Sequence, residues 1–138
     1  MKYICLAATI FALACFVVSC HQVTYRRNEL NAIDSIKAIK LAQQTYKNTK
    51  VKYGTLKELA EAGLIKAALS DGHYSGYRYD IRVASNSYAA LATPEEYGKT
   101  IGSSTGGISL FIDETGIIRH GFKQGKEATV NDEPLPNQ

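Results

Sequence analysis

The sequence has no tryptophan, only three prolines and three cysteines in 138 residues, and no glycine or proline before Gly54. It has no excess of one charge: sixteen Lys+Arg against thirteen Asp+Glu leave a formal +3, which excludes the basic footprint of a nucleic-acid binder. Its apolar content of 45% excludes disorder of the whole chain. No apolar run reaches the roughly 20 residues that a membrane-crossing helix needs. The length suits one domain and is too short for two with separate cores. His21, His73 and His120 lie more than forty residues apart, with no H-x-x-H or H-E-x-x-H pair, so no linear zinc motif is present.

What is there begins at the N-terminus. Lys2 supplies a minimal positive charge, and Ile4 to Val18 runs fifteen residues with Thr9 as the one polar interruption. That is the length of a signal-peptide apolar segment. The run ends Val17-Val18-Ser19-Cys20, which resembles the lipobox of bacterial lipoproteins. The resemblance implies a cut between Ser19 and Cys20, with a small residue entering the peptidase and the Cys20 thiol becoming a thioether to diacylglycerol. A plain signal peptide and a short uncleaved anchor are the alternatives. Removing 1–19 from the 138-residue chain leaves 119 residues, one cysteine, and a charge of +2 once Lys2 is gone. A monomer would then have no disulfide and no cysteine-based metal site.

Residues 20–28 read as a lipidated tether, at most about 28 Å long when extended. Arg26 and Arg27 within it read as solvated charge, with contact to anionic head groups, worth about 1 kcal/mol each, as the alternative. The residue after the acylated cysteine is His21 rather than Asp. By resemblance to sorting in Gram-negative lipoproteins, that does not retain the protein in the inner membrane. The expected location is the cell envelope, at the outer membrane facing periplasm or surface.

Glu29 to Lys47 reads as a helix whose Ala32, Ile36, Ile39, Gln43 and Tyr46 form one stripe, while Leu30, Ile33 and Leu41 fall on other faces. Thr55-Leu56-Lys57-Glu58 is a capping box opening a short helix that stops at Gly63. The period then changes to two. Tyr77, Tyr79, Ile81 and Val83 alternate with Arg78, Asp80 and Arg82, and Tyr88 to Thr93 follows as the antiparallel neighbour. Ile108–Ile112 and Ile117–His120 flank Asp113-Glu114-Thr115-Gly116, a hairpin turn in which Gly116 supplies φ > 0. The tail, 131–138, carries two prolines and no apolar pattern and is expected to fray. The expectation is an α+β domain over 29–130: an N-terminal long helix packed on a four-stranded antiparallel sheet.

This order of elements resembles the head domain of type IV pilins and of type II secretion pseudopilins. The residues that carry the likeness are Ser35–Ile39 with Ala42–Tyr46, Tyr53–Leu56, Ala62–Ile65, Gly76–Tyr79, Ala92–Pro94, Tyr97–Thr100 and Phe111–Arg119, with Ala128, Thr129 and Asp132 downstream. Pilins also have a glycine before their peptidase cut and a glutamate fifth in a long apolar stem. Here the first glycine is Gly54 and the first acidic residue is Glu29, outside the apolar segment. The resemblance therefore implies the fold without filament formation, because fold alone does not fix function.

The remaining candidates for chemistry are thin. Asp113 and Glu114 are an acid/base pair on paper, but adjacent acids at a hairpin tip are turn formers. Gly102-Ser103-Ser104-Thr105-Gly106-Gly107 lacks the lysine and flanking elements of a phosphate loop and reads as a flexible loop. By resemblance some pseudopilin heads bind calcium, yet this loop itself supplies hydroxyls and carbonyls and no carboxylate. No cofactor, metal or catalytic residue is assigned. The expected function is non-enzymatic: a membrane-anchored structural or interaction module, held to lipid through Cys20 and meeting envelope or secretion-system proteins. An accessory role in a type II secretion or type IV pilus machine is the alternative. A small envelope hydrolase comes third, since no Ser/His/Asp or metal constellation supports it.

Overall fold

The computed structural model describes residues 2–98 and 104–136, with side chains from Val23 onward. Helix α1 spans Lys2–Lys50. The helix expected over 29–47 is thus longer at both ends, because nothing in the segment breaks it: glycine and proline, the two residues most costly in a helix, are missing until Gly54. Lys47 and Lys50 sit in its last turn, where cations complement the helix dipole. It stops at Val51, whose φ of +60° is costly for a β-branched residue. Ser19, Cys20 and His21 lie outside the residues whose side chains are described. Among the described residues, no helix is long and apolar enough to cross a membrane.

Helix α2 (Leu56–Glu61) has the expected capping box: the Glu58 N–H donates to Thr55 Oγ1 at 3.3 Å, and Glu58 Oε2 accepts from the Thr55 N–H at 2.9 Å. Its end is a Schellman motif. The Leu64 N–H reaches Leu59 O and the Gly63 N–H reaches Ala60 O, with Gly63 at φ +68°. One 3₁₀ turn, Ala67–Leu69, leads into the sheet.

The domain is α+β, with the long helix against one antiparallel sheet, but the sheet has six strands rather than four. The strands are β1 (His73–Tyr74), β2 (Tyr77–Val83), β3 (Tyr88–Pro94), β4 (Ser109–Asp113), β5 (Arg119–Gly121) and β6 (Glu133–Pro134), and they pair in that order. The two additional strands are two-residue edges, too short to show alternation in sequence. Ser75 (φ +52°) and Gly76 (φ +72°) join β1 to β2 in a two-residue turn with both φ angles positive, as a type I′ hairpin requires. Gly116 has the expected positive φ, at +75°.

The tail expected to fray is hydrogen-bonded to the sheet over part of its length. Glu133 and Pro134 pair with His120 and Arg119, and the Leu135 N–H donates to Ile118 O at 2.7 Å. Asp132 is held by Lys123 at 2.5 Å and accepts from the Thr129 N–H at 2.7 Å, contacts that set its carboxyl below the usual range.

The helix stripe is buried as its spacing predicts: Ala32, Ile36, Ile39, Gln43 and Tyr46 are all inside. Their backbone runs nearest to β3 and β4, the central strands. There Ala90 stands opposite Ile112 and Ala92 opposite Leu110, so small residues on one strand leave room for the helix beside large ones on the next. Tyr77 and Tyr79 close the core from β2, Ile81 is half-buried, and Val83 emerges at 40% exposure as the strand passes beyond the helix. The other sheet face is not left to solvent. The chain from Phe122 to Val130 straps across it, with Ser109 Oγ donating to Lys126 O at 2.6 Å and Arg82 Nη2 to Glu127 Oε1 at 2.6 Å. Ala128 and Leu91 are buried there.

Candidate functional site

The last two turns of the core part of α1 turn a second face toward the sheet's end. Lys40, Gln44, Lys47 and Asn48 recur at spacings of four, three and one, which places them on one helix face. Together with the β4–β5 turn they wall a cleft of about 300 Å³, with Glu114 and Gly116 opposite and Tyr53 and Tyr88 at its base. The two rings are tilted at 49° with centroids 4.8 Å apart, and both side chains are buried. Burial pushes the Tyr88 hydroxyl pKa up, and neighbouring Tyr53, Asp113 and Glu114 add to it, so this phenol stays protonated.

Both cleft lysines are half-buried. Lys47 Nζ donates to Tyr53 Oη at 3.0 Å and lies 4.3 Å from the ring centroid, a cation–π contact that fixes its position. Neither Lys40 nor Lys47 has a carboxylate within 4.0 Å among the described residues. The cleft therefore presents two ammonium groups, two amides, two phenols and the Glu114 carboxylate. These groups can pair with an anion and exchange hydrogen bonds with hydroxyls.

At the opposite pole a polar seam ties α1 to the glycine-rich segment. Glu29 Oε1 accepts from the Gly107 and Ile108 N–H groups at 2.9 and 3.3 Å, Asn28 Nδ2 donates to Thr105 O at 3.0 Å, and Tyr77 Oη donates to Ile108 O at 3.0 Å. A Cβ on Gly106 would collide with the Tyr77 hydroxyl, and one on Gly107 with the Tyr25 hydroxyl. The glycines at 106 and 107 thus serve close approach of two tyrosines rather than a phosphate. Residues 99–103 of that loop lie outside the described residues. The seam also buries Asn28.

The other sequence candidates are dispersed. His73 Nδ1 lies 2.8 Å from Glu95 Oε1 near the seam. His120 sits on β5 with its Nδ1 buried and without a hydrogen-bond partner. Asp113 Oδ1 accepts from the Thr115 N–H at 3.0 Å, which is a turn-forming role, while neighbouring Glu114 faces the cleft. Among the described residues, no group of three or more His, Cys, Asp or Glu is placed to hold a metal ion. Sequence reasoning missed the cleft. Its only linear trace is the Lys40/Gln44/Lys47/Asn48 face, which resembles any solvated helix surface until the hairpin is laid against it.

Compared with protein-family models, curated proteins and solved structures, the chain matches none.

Proposed function

We propose that the chain is a lipid-anchored, non-enzymatic protein of the bacterial envelope whose pilin-like α+β head acts as an interaction module. The observation that carries this reading is the continuity of α1: the lipobox-like Val17-Val18-Ser19-Cys20 and the buried stripe belong to one helix. At about 1.5 Å per residue, Asn28 stands roughly 12 Å along the axis from Cys20, against about 28 Å for an extended tether. An acyl anchor at Cys20 would hold the head close to the bilayer at a set distance. Two or more acyl chains suffice for stable attachment. The test is metabolic labelling with a fatty acid. Label should enter the wild type and be absent from Cys20→Ala, and the mature N-terminus should begin at Cys20; an N-terminus elsewhere sinks the reading.

One observation favours the second reading, an accessory part of a secretion or pilus machine. Leu30 and Leu41 stand 63% and 65% exposed on the outer side of α1, three turns apart on one face. A photo-crosslinker at Leu41 should then capture a pilin-type subunit when the two are co-expressed. No adduct would reject it.

A further inference from the structure

We propose that the cleft between α1 and the β4–β5 turn is a binding site for an acidic monosaccharide. This reading stands apart from the lipid anchor, and its test can fail while the anchor survives. The argument starts from charge. Lys40 and Lys47 are half-buried residues, and neither ammonium has a carboxylate within 4.0 Å among the described residues. Lys47 is moreover held in place by Tyr53, so its charge is set before any ligand arrives.

Size comes next. About 300 Å³ lies at the bottom of the roughly 300–1,000 Å³ range of small-molecule sites, which suits a single sugar ring. The rest of the wall fixes the chemistry of that ring. The Gln44 and Asn48 amides each offer donors and an acceptor, and Glu114 across the cleft accepts from hydroxyls but repels a second negative group. The occupant therefore carries one anionic end toward the lysines and hydroxyls elsewhere. A carboxylate on a uronic acid and a phosphate on a hexose share that chemistry.

The experiment is a titration of the full chain in detergent micelles, followed by backbone-amide NMR, with glucuronate, glucose 6-phosphate and glucose as probes. Saturable shifts at Glu114 and Gly116 with either acidic sugar, and none with glucose, are expected. Glucuronate alone acting would name the carboxylate, and glucose 6-phosphate alone the phosphate. Lys40→Gln and Lys47→Gln should each weaken binding about tenfold, the scale of one charge-assisted hydrogen bond. Glu114→Gln, an exposed change at the turn, should tighten it by removing repulsion while keeping a hydrogen-bonding group. No saturable shift with either acidic sugar, equal shifts with glucose, or a Glu114→Gln variant that binds more weakly would overturn the proposal.

Discussion

Gln43 is the one fully buried amide in the helix stripe, and its role makes the packing argument testable. Its Nε2 donates to Gly54 O at 2.7 Å and its Oε1 accepts from the Gly54 N–H at 2.9 Å, so one side chain satisfies both backbone groups of a residue in the segment between α1 and α2. Gln43→Leu keeps the volume and abandons both. Two buried groups left unpaired cost about 1–3 kcal/mol each, offset in part by the apolar area gained. The expected net loss is about 2 kcal/mol, or about 10 °C in Tm for a domain of this size. Gln44→Leu, one residue on and exposed, should stay within about 0.5 kcal/mol of wild type.

Gln43→Glu sharpens the test. The introduced carboxyl is buried, so its folded-state pKa rises above the roughly 4.3 of an unfolded glutamate. Its protonated form can donate to Gly54 O, and its ionised form cannot. With the folded value raised, stability is fully present below the unfolded value and is lost as pH rises through the folded one. Thermal melts at pH ~4 and ~8 should show the deficit against wild type growing at the higher pH. A Gln43→Leu protein that melts with the wild type, or a Gln43→Glu deficit that ignores pH, would refute the account.

Two further outcomes follow from the same packing. Ile39→Asp places an unpartnered carboxylate at a position with no exposure and should leave the protein mostly unfolded, whereas Arg82→Ala, which loses only exposed pairs with Asp80 and Glu127, should cost at most about 1 kcal/mol; circular-dichroism melts compare them. The Lys52 ammonium, then the Thr55 N–H, hold the Glu58 carboxyl down to about 2, so its contribution is present above the unfolded value and is lost as pH falls toward the folded one. Glu58→Gln should therefore lose less Tm than wild type between pH ~4 and ~2; parallel losses would reject the capping-box assignment.

Much of this protein is written in local rules. The stripe Ala32, Ile36, Ile39, Gln43 and Tyr46 follows from helical period, the Thr55/Glu58 box from side-chain reach, the alternation around Tyr77 and Tyr79 from the strand pleat, and the turn at Asp113–Gly116 from turn chemistry. Each depends on residues within a few positions of one another, so each is legible from chain order alone. The start of the helix was less legible, because what extends α1 is the lack of any breaker rather than a positive signal.

The rest arises from contacts between distant segments. Two-residue edges at His73–Tyr74 and Glu133–Pro134 have no period to read and exist because a neighbouring strand offers unpaired backbone groups. The strap over Leu91 is fixed by Arg82 with Glu127 and by Ser109 with the Lys126 carbonyl, partners separated by 45 and 17 positions. The glycines at 106 and 107 look like looseness in sequence and serve as contact points once Tyr77 and Tyr25 stand over them. The cleft is the clearest case. Lys40 and Lys47 become a paired cationic wall only when a turn more than sixty residues downstream is laid across them, because charge in a cleft depends on who else is near and how much water remains, and neither is a property of the chain order.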